Sequence, residues 1–308
     1  MRALAPSRSS HPGPRPSPHL KPMKPTSPRR HYGQRPPGGR DGAPGSREGG
    51  RGERGPARPQ RPERRPFDEG RVELFGVHAV EAALRNERRK VVRLQMTENA
   101  ENRLSEAVTA RQLAPERVSP RDLDRLLGED TVHQGVLLET EPLDEPDIAD
   151  LAERAENGPL IVLDQVTDPH NVGAILRSAA VFGAAGLIMT RRHSPPLDGA
   201  LAKSASGALE LVPIALVQNL ARAIAELKEH FCTILGLDGE AQHLIENEPL
   251  TGRFALLLGA EGKGLRELSR NSCDRLVRIA TSGPIGSLNV SNAAAISLHH
   301  AAWKRAQR

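Results

Sequence analysis

Leu160-Ile-Val-Leu-Asp164 runs directly into Gln165-Val-Thr-Asp-Pro-His-Asn-Val-Gly-Ala-Ile-Leu-Arg177. Four consecutive apolar residues ending on a carboxylate read as a strand buried on both faces, and Asn171–Phe182 reads as the helix that follows. The alternation then continues. Gly186–Thr190 is predicted as a strand, Leu197–Ala208 as a helix, and Leu220–Glu229 as a helix after the segment Leu211–Val217. Strands are predicted at Thr233–Gly236, Phe254–Leu258 and Arg275–Ile279, with a last helix from about Leu288 to Lys304. Apolar strands alternating with helices predict an α/β domain over 158–308, a parallel sheet with helices on both faces. Such sheets bind ligands beyond the carboxyl ends of their strands. The polar and glycine-rich segments fall there three times: 164–177, Leu258-Gly-Ala-Glu-Gly-Lys-Gly264, and Gly283-Pro-Ile-Gly-Ser-Leu-Asn-Val-Ser-Asn292.

Upstream, Glu73–Leu84 reads as a short extended start and a helix, Val91–Gln95 as a strand, Asn102–Arg111 as a helix, and Val132–Glu139 as a closing strand. This predicts a small α/β module over 71–145, joined through the acidic, proline-marked Glu141–Pro146 and a linker at 146–157. The first 70 residues differ in kind. They hold 15 Pro and 11 Gly, and carry 16 Lys/Arg against 6 Asp/Glu. Too little apolar surface offsets the chain entropy there, so a disordered basic tail is expected. It serves either as a sequence-blind arm for phosphates or as a solvated extension. The other 238 residues carry 27 basic and 32 acidic groups, so the chain's net +5 belongs to the tail.

Several classes are excluded. No apolar run approaches the roughly 18–20 residues of a membrane span, and no apolar stretch follows Met1 as in a secreted chain. A transit peptide is disfavoured by the prolines at 12, 14, 16, 18, 22, 25 and 28, which preclude an amphipathic helix. Two cysteines, Cys232 and Cys273, make no disulfide framework and suit a cytoplasmic setting. No metal is expected: His299 and His300 are adjacent and point about 100° apart on a helix, and no CxxC occurs.

The three loops resemble the three motifs of the SpoU (TrmH-type) RNA ribose 2′-O-methyltransferases, of the knotted SPOUT class. Within that family the similarity is to the branch that methylates a guanosine of large-subunit ribosomal RNA. Residues 71–140, with Gly76-Val-His-Ala-Val80 and His133-Gln-Gly-Val136, resemble the family's accessory substrate-binding domain. The resemblance implies S-adenosylmethionine as cofactor, RNA as partner (ribosomal, or transfer RNA as second choice), a homodimer and a knotted C-terminal region. True knots are otherwise almost absent from proteins, so the knot is an implication of the family alone.

The site residues follow from that match. Arg177 is implied as catalytic, a permanent cation for the neighbouring phosphate or the forming alkoxide. As an ordinary helix residue it would simply face solvent. Asn171 either caps its helix or orients Arg177 and substrate. Glu261 matches the acid of the second motif, and Ser287 and Asn289 the polar pair of the third, for substrate handling or for capping the last helix. Gly259, Leu258, Ile279 and Leu288 are implied in cofactor binding: glycine backbone against adenine, apolar side chains as a slot. Asn292, where the family often has a small apolar residue, and Lys263 inside the glycine loop depart from the pattern. Two other functions compete. A dinucleotide oxidoreductase lacks its fingerprint, because Gly259–Gly264 is not GxGxxG and comes late in the domain. A catalytically silent RNA-binding protein would not need Arg177, Glu261, Ser287 and Asn289 together, and has few aromatics to stack bases on.

Overall fold

The protein is seen in a computed structural model, which describes residues 70–307. The predicted tail at 1–70 lies outside the described residues, apart from Gly70. The N-terminal module contains β1 (Val72–Phe75), α1 (Val77–Arg85), β2 (Val91–Met96), α2 (Glu98–Ala110), β3 (Glu116–Arg117), α3 (Pro120–Leu127) and β4 (Val136–Thr140). Its sheet has the order β1-β4-β2-β3, with β4 antiparallel to both neighbours. Helix α3 escapes the apolar-period reading because only Leu123 is buried, yet Ser119 and Asp122 form a reciprocal capping box ahead of Pro120. The closing strand starts four residues later than expected. Gln134 and Gly135 have φ of 56° and 81°, which no strand accommodates.

The second part consists of α4 (Ile148–Arg154), β5 (Leu160–Asp164), α5 (Pro169–Val181), β6 (Gly186–Thr190), α6 (Gly199–Ala205), β7 (Ile214–Val217), α7 (Leu220–Glu229), β8 (Thr233–Leu237), β9 (His243–Leu244), β10 (Phe254–Gly259), α8 (Glu267–Asn271), β11 (Arg275–Arg278) and α9 (Val290–Ala306). Its seven strands pair in parallel throughout, in the order β7-β6-β5-β10-β8-β11-β9. Alternation along the strands divides two apolar layers. Ile161, Leu163, Leu187, Met189, Leu256 and Leu258 face the layer of α5, α6 and α9. Leu160, Val162, Ile188, Ile234, Ala255 and Leu257 face α4 and α7.

The segment 146–157, expected as a linker, contains α4. Asp147 accepts a hydrogen bond from the N–H of Asp150, and Ile148, Leu151, Ala152 and Ala155 recur at helical spacing to cover one sheet face. The helix expected at 197–208 is interrupted: Ser206 and Gly207 take positive φ, and a 3₁₀ turn follows at Ala208–Glu210. Strand order reverses beside β5. Its successors β6 and β7 lie on one side, and β10, β8, β11 and β9 lie on the other. The crevice beyond the carboxyl ends of β5 and β10 is therefore a topological switch point.

Candidate functional site

Gly259 ends β10 opposite Asp164 at the end of β5. The two loops that leave the sheet here begin as neighbours, so short side chains can join them. From the β5 side, Pro169 opens α5 and Asp168 caps it, accepting from the His170 N–H at 2.9 Å. Asp168 thus has the capping role that Asn171 was allowed from sequence. Asn171 lies one turn inside the helix, with its amide free for other partners.

Those partners are residues of the other two motifs. Asn171 Nδ2 donates to Glu261 Oε2 at 3.3 Å. Asn289 Nδ2 donates to Asn171 Oδ1 at 3.0 Å and to Glu261 Oε2 at 3.1 Å. Asn289 Oδ1 accepts from the Ser291 N–H at 2.9 Å and from Ser291 Oγ at 2.6 Å, so the same side chain caps α9. Capping and site organisation are one arrangement at Asn289: the oxygen serves the helix, which turns the amide nitrogen towards Glu261.

The turn carrying Glu261 closes through Gly264 N–H to Ala260 O at 2.9 Å. Gly262 and Gly264 supply φ of 77° and 67°. A Cβ on Gly259 would collide with the Gly264 carbonyl and the Leu265 nitrogen, so its close approach is to its own loop. Below the turn, the Asp164 side chain is fully buried. It accepts from Arg266 Nε at 2.7 Å and from the Arg266 N–H at 3.2 Å, with Arg266 Nη2 2.6 Å away. This pair fixes both ends of the glycine turn to the sheet. Sequence reasoning passed over it, although one Asp closing an otherwise apolar strand is the kind of residue that needs a partner.

Arg177 and Ser287 stand apart from this cluster. Arg177 is exposed six residues beyond Asn171, and Ser287 lies in the exposed stretch 281–288; neither side chain hydrogen-bonds to another described residue. The expected apolar slot is uneven. Leu258 is core and only 2% exposed, whereas Ile279 is half-buried and Leu288 is 42% exposed. Ile285, which the sequence reading did not single out, is 75% exposed in the same loop. Asn292 and Lys263 both face solvent. No group of three or more metal-ligating side chains occurs among the described residues.

The polar cluster thus joins one residue from each of the three loops at the switch point of a parallel sheet. Comparison with known proteins is specific. Residues 158–299 match the SpoU rRNA methylase family, and residues 74–146 match the RNA 2′-O ribose methyltransferase substrate-binding family. The 23S rRNA (guanosine-2′-O-)-methyltransferase RlmB of Pseudomonas putida is 39% identical over 243 residues, 76% of this chain and 96% of the relative. The protein of the same name from Photorhabdus laumondii is 38% identical, over 75% of this chain and 98% of its own. Among solved structures, the SpoU methyltransferase AviRb of Streptomyces viridochromogenes, in complex with AdoMet, superposes with a TM-score of 0.66 at 25% identity, covering 77% of this chain and 91% of that one. The chain belongs to the SpoU family of S-adenosylmethionine-dependent RNA 2′-O-methyltransferases.

Proposed function

We propose that this protein methylates the ribose 2′-hydroxyl of a guanosine in large-subunit ribosomal RNA. The observation that carries the reading is the single hydrogen-bonded cluster of Asn171, Glu261 and Asn289, one residue from each motif, at the switch point of the sheet. The substrate assignment rests on the relatives named as 23S rRNA guanosine methyltransferases, which this chain matches over nearly their whole length.

The exposed loops fit S-adenosylmethionine. Leu288, Ile285 and the half-buried Ile279 offer an apolar surface to adenine, and no neighbouring atom lies within 4 Å of where a Cβ on Gly262 would be. When bound, the cofactor supplies an electrophilic methyl group on a sulfonium. The ribose oxygen would take that methyl group, with the carbon–sulfur pair leaving on the thioether and the hydroxyl proton passing to water. Arg177 holds the adjacent phosphate or the developing alkoxide, a role open to a guanidinium that stays protonated. Asn171, Glu261 and Asn289 keep the glycine turn and the start of α9 in register, so that the two reactants meet in line. Ser287 contacts substrate from the 281–288 loop.

The active form we propose is a homodimer. Val181 at the end of α5 is 75% exposed, and Ile296 and Trp303 on α9 are 41% and 50% exposed. These helices pack together, with Phe182 meeting His299 edge-on at 5.5 Å. A second copy across this apolar face also reaches Arg177, which shares the outward stripe of α5 with Val181. The family's knotted path is assigned to the stretch from β10 to α9, and the module at 71–145 is assigned to RNA binding. No helix among the described residues is long and apolar enough to cross a membrane. The cytoplasm is the proposed location, a reading supported by the ribosomal substrate. The test is incubation with labelled S-adenosylmethionine and either a 23S rRNA transcript or transfer RNA, followed by nucleoside analysis. Label in 2′-O-methylguanosine from the 23S transcript alone supports the reading; label only in transfer RNA, or on a base, overturns it.

A further inference from the structure

The buried side chains Arg89 and Glu210 meet where the small module touches the catalytic domain, each only 3% exposed. Arg89 lies between α1 and β2, and Glu210 ends the 3₁₀ turn after α6. The pair is bidentate, with Arg89 Nη2 donating to Glu210 Oε1 at 2.6 Å and Nε to Oε2 at 3.2 Å. Asn86 Nδ2 adds a third donor to Oε2 at 2.7 Å, and Arg88 donates to the Glu210 carbonyl at 3.3 Å. On its other side, Arg89 Nη1 donates to the carbonyl of Glu141, where the chain leaves the module. Three donors from the module thus converge on one carboxylate. A charge pair this dry fixes geometry more than it adds stability, since desolvation offsets much of its attraction.

The surrounding contact is close. A Cβ on Gly199 would strike the Phe75 ring, and one on Gly207 would lie 2.8 Å from the Ala82 methyl. The module's two motif stretches meet at the same seam: Gln134 Oε1 accepts from the Val77 N–H at 2.8 Å, and Lys203 of α6 lies beside Gly76.

We infer that Arg89 and Glu210 are positioning residues, a latch that holds the RNA-binding module at one fixed orientation to the methyl-transfer site. The inference rests on the proposed function for the RNA, but not for the latch itself. RNA that contacts both parts then meets a preformed frame. Without the latch only a fraction of molecules is docked, and the apparent affinity for RNA falls by that fraction.

The experiment uses full-length protein with fluorophores at Arg103→Cys and Glu229→Cys, both exposed positions on α2 and α7. The native thiols compete poorly, because burial pushes Cys232 up to about 12 and Cys273 up to about 11. Diluted into a large excess of unlabelled protein of the same sequence, so that a dimer carries one labelled copy, the protein with the native Glu210 should give one narrow distance. Glu210→Ala, and the shape-preserving Glu210→Gln if the first does not fold, should broaden it. The KM for RNA should rise about tenfold, as for a docked fraction near one tenth, with S-adenosylmethionine affinity and kcat at saturating RNA little changed. A merely structural role would weaken S-adenosylmethionine binding and lower kcat along with the rise in KM. An unchanged narrow distance in the folded variants overturns the latch, as does a broadened distance with unchanged KM. If the wild type methylates no RNA, the proposed function fails, and the distance distribution still decides the latch.

Discussion

Replacing Asn289 by Asp separates two roles that one side chain performs. Asp is as good an N-cap as Asn and adds negative charge at a helix start, so the Oδ1 bonds to Ser291 should survive. The other atom changes from a donor into an anionic oxygen, 3.1 Å from Glu261 Oε2. Two unit charges at that separation repel by about 1.3 kcal/mol even in bulk-water dielectric. The lost donor to a carboxylate is worth a further ~1.5–3 kcal/mol. Glu261 sits on an exposed turn and can swing away, so the cost falls on the state that needs the turn in place. Asn289→Asp should therefore keep its Tm while losing at least about tenfold in S-adenosylmethionine affinity, since ~1.4 kcal/mol is tenfold. Asn289→Ala should also lose the cap, about 1 kcal/mol and roughly 2–4 °C in Tm for a domain of this size. Calorimetric titration and thermal melts of the three proteins make the comparison. Wild-type cofactor affinity in Asn289→Asp would refute the reasoning and reduce Asn289 to a helix cap.

Arg177→Ala should leave cofactor affinity unchanged and cut single-turnover methyl transfer by about two orders of magnitude or more, the scale of removing one transition-state donor. Transfer near the wild-type rate would make Arg177 a surface helix residue. Gly259→Ala should distort the glycine turn at a cost of ~1–3 kcal/mol, because its Cβ meets the backbone of residues 264 and 265. Titration should show S-adenosylmethionine binding weakened by about tenfold or more, and unchanged binding would show that the turn is not the cofactor's support. The ring of His300 is held below its ordinary value by burial first and by Lys304 second. Its Nε2 is buried with no described partner. The unfolded chain therefore takes up that proton first as pH falls, so stability is complete above the ordinary histidine range and declines below it. Between about pH 7.5 and pH 5.5 the Tm should drop more in wild type than in His300→Gln, and equal drops would assign the slope to other groups.

The sheet was readable because its strands are short, apolar throughout and separated by helices with clear periods. Leu160–Asp164, Gly186–Thr190 and Leu220–Glu229 lie at their expected bounds. What escaped has local causes. Helix α3 buries one residue and depends on its capping box, which an apolar period cannot register. Helix α4 was hidden beside the prolines and acids before it, although Asp147 and the spacing of Ile148, Leu151, Ala152 and Ala155 carry its signal. The motif residues could be named one by one, but their mutual bonds could not. That Asn171, Glu261 and Asn289 share one carboxylate oxygen depends on loops 90 and 118 positions apart along the chain. The Asp164–Arg266 and Arg89–Glu210 pairs are likewise products of tertiary approach, for which no sequence spacing exists.

The central claim is a methyl group placed on one ribose oxygen of ribosomal RNA, and ribose-methylation mapping of total RNA tests it most directly. Cells carrying the gene should be compared with a deletion strain and with the deletion strain complemented by the wild type or by Arg177→Ala. The account expects one guanosine of the large-subunit RNA to lose its 2′-O-methyl mark on deletion, to regain it with the wild type, and to stay unmodified with Arg177→Ala. A complete set of large-subunit marks in the deletion strain, with a ribose mark missing from transfer RNA or from no RNA, would contradict it.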